Sequence, residues 1–235
     1  MKAHIIMNDA LAPPGAIEYW MQHNNHSSSI TKAYLGEDFP SVETFDFLII
    51  LGGAAGAYEE DQYEWLKSEK QFISKAIEAD KFVLGICLGA QMIAEVLGGQ
   101  AYPMSFEEVG WKNVSLSFNF DQVNDSKLLY NIPNEFTVFQ YHGDTFDLPE
   151  KVKLIGEGME CRNQIFKYGN KVLGLQFHPE FTKDILENII EFLSDDLKEK
   201  LHFENKDELY EVLVKKDLIS DANNLLFQLL DNLTD

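Results

Sequence analysis

The sequence is poor in cysteine, poor in positive charge and free of any long apolar run. Cys87 and Cys161 are the only cysteines in 235 residues. A small disulfide-stapled domain has more, and a chain of this length can bury a core without such staples. Lysine and arginine number 19 against 39 aspartates and glutamates, a formal net charge of -20. Such a surface repels a phosphate backbone, so nucleic-acid binding is not expected. No uninterrupted apolar stretch approaches the roughly 18 residues that a membrane-spanning helix needs. The opening segment MKAHIIMNDALAPPG is broken by Asn8 and Asp9 and lacks the apolar region and cleavage site of a signal peptide. The expected location is the cytoplasm, with both thiols reduced. Internal repeats and low-complexity tracts are missing. The histidine spacings do not fit a zinc site, and neither cysteine has a ligand close in sequence, so no metal is expected. Gly52-Gly53 with Gly56 is too short for either common phosphate loop, so neither nucleotide nor other cofactor is expected.

What is present is ample apolar residue, 45% of the chain, ordinary for a globular protein. It falls in short continuous runs: His4–Met7, Phe47–Leu51, Phe82–Ile86 and Val172–Phe177. Continuous rather than alternating Ile/Leu/Val runs suit strands of a parallel sheet covered on both faces. Helical spacing lies between them. Trp65, Leu66, Phe72, Ile73, Ala76 and Ile77 share one face, as do Leu88, Met92, Ile93, Val96 and Leu97, the latter stopped by Gly98-Gly99. Strands alternating with helices predict an α/β three-layer αβα sandwich with a mostly parallel, doubly wound sheet. The middle differs. Trp111–Phe118, Phe136–Gln140, Lys153–Gly156 and Gln164–Tyr168 are β-type segments between turn residues, and predict an added β-rich, mixed or antiparallel part. Thr182 can cap a helix from Lys183 to about Leu197. The expected organisation is one domain over 1–194 and a helical C-terminal extension over 195–235. In that extension Ala222, Leu225, Leu226, Leu229, Leu230 and Leu233 form an apolar stripe, expected to pack on the parent domain.

The most informative stretch is Phe82 to Gln91. An apolar strand runs into Gly85-Ile86-Cys87-Leu88-Gly89 and then directly into an apolar helix. That is the cysteine form of the strained strand-to-helix turn that presents a nucleophile above a sheet. The helix N-terminus then faces the sulfur, and its dipole and unpaired N–H groups favour a thiolate. The same N–H groups, Leu88 first, can receive an oxyanion. The competing reading is a buried packing cysteine.

A thiol nucleophile needs a base, and the base needs an orienting group. His178 and Glu180 follow a second apolar strand and lie two residues apart, so in extended backbone they share a face. Pro179 between them favours that extended geometry. His142, in Gln140-Tyr141-His142-Gly143-Asp144, also follows a β segment and competes for the role. His4, His23, His26 and His202 have no such context.

Taken together, Leu51-Gly52-Gly53, the Gly85–Gln91 turn and Gly174-Leu175-Gln176-Phe177-His178-Pro179-Glu180 resemble the class I (triad) glutamine amidotransferases. Tyr58-Glu59-Glu60-Asp61, Glu108-Val109-Gly110-Trp111 and Tyr141-His142-Gly143-Asp144 are similar to the branch typified by the amidotransferase domain of GMP synthase. The resemblance spans about Lys2 to Leu193 and implies a flavodoxin-like sandwich. It implies that Cys87 attacks the side-chain amide of glutamine, that Gly53 and Leu88 form the oxyanion hole, and that His178 and Glu180 complete the triad. It implies substrate contacts from Gly52, Gln91, Tyr141, His142 and Asp144. The family often has proline after its Gly-Gly pair, where this chain has Ala54. No ammonia-using domain is recognisable in the chain, so a separate synthetase subunit is the partner that the resemblance implies.

Three functions remain open on these residues. One is an amidotransferase releasing ammonia for a partner or acceptor. Another is a free-standing γ-glutamyl hydrolase or peptidase with the same triad. The third is a non-enzymatic interaction protein on the same fold.

Overall fold

A computed structural model describes residues 1–117 and 127–235. One sheet of nine strands organises them. In chain order these are β1 (Lys2–Met7), β2 (Ser27–Lys32), β3 (Phe47–Ile50), β4 (Phe82–Ile86), β5 (Gln100–Leu116), β6 (Glu135–Asp147), β7 (Lys153–Gly158), β8 (Asn163–Tyr168) and β9 (Val172–Leu175). The spatial order is β2-β1-β3-β4-β9-β8-β7-β5-β6. The first five strands in that order pair in parallel and the rest in antiparallel fashion. The parallel half with an antiparallel β-rich addition is the architecture expected from the pattern of apolar runs.

The helices are α1 (Ala16–His23), α2 (Glu64–Glu78), α3 (Leu88–Val96), α4 (Lys183–Leu201), α5 (Lys206–Leu213) and α6 (Lys216–Thr234). Side chains alternate across the central strands and feed two cores. Ile5, Phe47, Ile49 and Leu84 face α1 and α6, while Ile6, Leu48, Ile50 and Val83 face α2 and α3. Every residue of β3 and of β9 is buried, which is why they read as unbroken apolar runs. A third cluster joins α4 and α5 to Val109 and Phe139 of the β5–β6 pair. No helix among the described residues is long and apolar enough to cross a membrane.

Several elements differ from the sequence expectation. β2, SSSITK, was not anticipated. It is an edge strand with most side chains exposed, so it carries no apolar signature. β5 and β6 are far longer than the short segments expected, and they pair in two registers separated by a shift between Pro103 and Glu108. Phe118, the expected end of one segment, lies outside the described residues. The Thr182 hydroxyl accepts from the Ile185 N–H as a cap, and α4 continues past Leu197 to Leu201 through a break at Leu193. The stripe on α6 is buried against the sheet beside α1. Covering one such leucine contributes roughly 1.5–3 kcal/mol.

Candidate active site

Cys87 sits at the tip of β4, immediately before α3, with φ 51° and ψ -110°. A non-glycine residue rarely holds a positive φ, and such strain concentrates at functional sites. The surroundings enforce it. A Cβ on Gly85 would stand 2.5 Å from the Gly89 carbonyl oxygen, and one on Gly89 would collide with the Ile50 carbonyl. The two glycines flanking Cys87 therefore let α3 lie directly on β3 and β4. The Cys87 N–H donates to the Leu175 carbonyl at 2.8 Å, binding the turn to β9. Leu88 is the first residue of α3, so its N–H has no partner within the helix.

His178 arrives from the end of β9. Its N–H donates to the Phe139 carbonyl at 2.8 Å, and its ring stacks on Phe181 with centroids 4.2 Å apart. Nδ1 lies 2.8 Å from Glu180 Oε1, and Cys87 lies beside the same ring, both facing Gly52. Cys87, His178 and Glu180 are all buried. Burial alone pushes the imidazole down, but the Glu180 charge, the Cys87 charge and their hydrogen bonds outweigh it, and the pKa of His178 is raised. That favours an imidazolium between a carboxylate and a sulfur. The structure thus unites the three residues singled out as nucleophile, base and orienter, although 91 positions separate Cys87 from His178.

Gly52 and Gly53 lie across from this pair. A Cβ on Gly52 would stand 2.8 Å from His178 Cε1 and 3.4 Å from Cys87 Cβ. A Cβ on Gly53 would meet Asn8 Cβ at 2.9 Å and Leu88 Cδ2 at 3.1 Å. The loop that follows begins at Ala54 and is tied by Glu59, whose carboxylate accepts from the Gly56 N–H at 2.7 Å.

A cleft of about 410 Å³ opens above Cys87 and His178. Gly53, Gln91, Tyr141, His142 and Asp144 line it, as does Phe181. Gln91 is buried, its amide Nε2 3.3 Å from Gln176 Oε1. The Tyr141 hydroxyl faces Asp196 at 3.2 Å, and Lys200 lies over its ring. Burial above all pushes that hydroxyl up to about 12. Asp144 accepts from the Tyr58 hydroxyl across the mouth at 3.4 Å. Burial chiefly, with Glu59 and Glu107 adding to it, raises the Asp144 carboxyl above its ordinary value. The cleft is therefore rich in carboxylates and suits a substrate that carries an ammonium group.

His142 and Asp144 lie inside β6 rather than after it, which corrects the expectation for His142. The His142 ring is consumed by protein contacts. Nδ1 lies 2.9 Å from the Asp144 carbonyl oxygen, and Nε2 lies 3.0 Å from both Glu108 Oε2 and Gln140 Oε1. Glu108 also accepts from the Cys161 N–H at 3.2 Å and from Gln164 at 3.1 Å. Burial opposes its charge, yet His142 and these donors hold its carboxyl below the usual value. Cys161 therefore does have close partners in space. Glu108, His142 and Cys161 bring potential ligand atoms within 4.8 Å of one another, which sequence spacing concealed. Among the described residues no side-chain atom of this cluster is buried without a partner, so a metal would have to break an already closed hydrogen-bond network.

Asp9, Leu11, Glu107 and Lys200 also line the cleft, without a sequence pattern that marks them. Lys200 reaches it only because α4 continues beyond its break, and no local pattern signals that. Glu107 pairs with Lys200 at 2.7 Å.

The chain matches the family model described as glutamine amidotransferase class-I over residues 17–193. It is 29% identical over 201 residues to the glutamine amidotransferase-like protein YfeJ of Salmonella typhimurium, covering 84% of this chain and 83% of that one. It is 33% identical over 138 residues to a glutamine-hydrolysing GMP synthase of Streptococcus mutans, covering 57% of this chain but only 24% of that protein. Gamma-glutamyl peptidase 5 of Arabidopsis thaliana is 28% identical over 157 residues, with 66% of this chain and 61% of the peptidase covered. Against these last two, the chain spans less than two thirds of the relative's length. A solved glutamine amidotransferase of Thermotoga maritima superposes with a TM-score of 0.89 at 32% identity, covering 100% of this chain and 99% of that one.

Proposed function

The chain belongs to the class I glutamine amidotransferases, and on that premise we propose that it hydrolyses the side-chain amide of glutamine, or a related γ-glutamyl bond, through a thioester on Cys87. The observation that carries this reading is the pairing of Cys87 and His178 in the wall of one cleft, with His178 hydrogen-bonded to the buried Glu180 and the sulfur at a helix N-terminus.

The chemistry follows from those positions. The Cys87 thiolate adds to the amide carbonyl carbon. The carbonyl π electrons move to oxygen, and the oxyanion is received by the N–H groups of Leu88 and Gly53. As the tetrahedral intermediate collapses, the C–N bond breaks and the imidazolium of His178 gives its proton to the departing amine. Neutral His178 then takes a proton from water, whose oxygen attacks the thioester. The second collapse breaks the C–S bond, releasing glutamate and restoring the thiolate–imidazolium pair. Glu180 holds the ring and stabilises its positive form through both halves. Gly52, Gln91, Tyr141, His142 and Asp144 line or back the region where the substrate's amino-acid end would lie.

If glutamine is the substrate, the released ammonia goes to a partner or acceptor, and the likeness to GMP synthase makes a separate synthetase subunit the natural partner. The likeness to a γ-glutamyl peptidase favours a second reading, in which the isolated chain cleaves γ-glutamyl amides or peptides unaided. Glutamate release from glutamine and from a panel of γ-glutamyl peptides tests both. Turnover lost in Cys87→Ala supports the shared chemistry. Efficient peptide cleavage with poor glutamine turnover selects the second reading. Inertness toward every γ-glutamyl compound, with no covalent adduct, overturns both.

A further inference from the structure

Glu69 lies on the buried face of α2, between Leu66 and Ile73, and is fully enclosed. The two other fully enclosed or nearly enclosed glutamates, Glu108 and Glu180, each have an imidazole partner. Among the described residues Glu69 has none. Its hydrogen bond is from Asn8 Nδ2 to Oε1, at 3.1 Å. Burial pushes its carboxyl up to about 8, against a smaller lowering by Asn8, so the neutral acid is the form expected near neutrality.

Asn8 immediately follows β1 and is itself buried. Its amide nitrogen also donates to the Leu51 carbonyl at 3.0 Å. Both of its N–H bonds are then used. Two buried acceptors are left without a donor, Asn8 Oδ1 and Glu69 Oε2, one on each member of the same pair. A proton on Glu69 Oε2 supplies the missing donor. Donation of that proton to Asn8 Oδ1 would close a ring of two hydrogen bonds, each group donating once to the other.

The far end of this pair touches the loop opposite Cys87. Leu51, whose carbonyl Asn8 holds, immediately precedes Gly52. Gly53 packs so closely on Asn8 that a Cβ there would stand 2.9 Å from Asn8 Cβ and 3.1 Å from its carbonyl oxygen. We propose that Glu69 is a positioning residue for the oxyanion loop: paired as an acid with Asn8, it fixes the Leu51–Gly53 backbone and so aims the Gly53 N–H. This rests on the reading of Cys87 as the nucleophile of γ-glutamyl hydrolysis. Glu69 itself stays behind the loop and does not touch substrate.

Glutamine at position 69 can make the same two-bond ring, since its amide N–H donates to Asn8 Oδ1 and its carbonyl accepts from Nδ2. Leucine cannot. The test compares wild type, Glu69→Gln and Glu69→Leu on glutamine and on γ-glutamyl-p-nitroanilide, alongside alkylation of Cys87 by iodoacetamide, a displacement that needs a thiolate but no oxyanion hole. The expected result is that Glu69→Gln keeps kcat within about threefold, whereas Glu69→Leu loses about 10- to 100-fold in kcat with little change in KM. The alkylation rate stays the same in all three. Equal kcat in wild type and Glu69→Leu overturns the proposal. So does a Glu69→Leu alkylation rate that falls in parallel with kcat, since that marks a general collapse of the site. Failure of Glu69→Gln to rescue overturns it as well. A wild type inert to both substrates overturns the hydrolytic reading, and this inference with it.

Discussion

Asn223 on α6 donates its side-chain amide to the Pro179 carbonyl at 2.8 Å, and to that of Phe181 at 3.0 Å. These two carbonyls bracket Glu180, so the last helix grips the segment that carries His178 and its orienter. Removing this half-buried partner leaves two buried acceptors unpaired and costs about 1–3 kcal/mol. Asn223→Ala is expected to lower kcat for γ-glutamyl hydrolysis several-fold and to reduce stability by that amount. Steady-state kinetics and chemical denaturation check the two halves separately.

Glu180→Gln keeps the shape of the orienter and removes its charge. Without that charge the largest of the contributions that oppose the burial of His178 is lost, so the pKa of its ring is expected to fall. kcat is expected to drop at least about 100-fold, in line with the importance of orienting groups in such triads. The ring proton signals of His178, followed by NMR against pH in wild type and variant, read the shift directly.

Gly52→Ala tests the closeness of the loop to the imidazole. The added methyl would meet His178 Cε1 at 2.8 Å, too near for an ordinary contact. The ring must move, and a displacement of about 1 Å at a catalytic group can cost 100-fold. Activity is expected to fall by about that factor while the thermal midpoint changes little, as differential scanning calorimetry and kinetics would show together.

The enclosed Glu69 carboxyl makes stability depend on pH with a definite sign. Its pKa is raised in the fold, from 4.5 to about 8. Its contribution is therefore fully present below pH 4.5, declines as the unfolded chain ionises, and is lost as pH rises through about 8. Wild type is expected to lose stability on the order of a few kcal/mol from this group between pH 5 and 8. Glu69→Gln removes the titration. A denaturation series across that range, run on both proteins, is expected to show a smaller decline in the variant.

Much of the candidate site is legible in the sequence because it is local there. Cys87 stands between two glycines at a junction of apolar strand and helix, and both glycines prove to be close-packing positions. His178 and Glu180 stand two apart, and a single hydrogen bond joins them. The central strands were legible because burial on both faces leaves no polar position to interrupt them. The remainder depends on contacts between segments far apart in sequence. β2 is a serine-rich edge strand, so solvent rather than apolar neighbours sets its composition. Glu69 was hidden within an apolar helical face, where an acid at the right spacing looks like a surface residue. Glu108, His142 and Cys161 come from a long hairpin and the turn between β7 and β8, and only the folded register brings them together.

That second group of cysteine, histidine and glutamate also sharpens the decisive test. Mass spectrometry of the protein treated with a chloroketone analogue of glutamine, with and without excess glutamine, locates the reactive sulfur. The account predicts a single adduct on Cys87 that glutamine suppresses and that Cys87→Ala abolishes. An adduct confined to Cys161, or no adduct at all, would contradict it.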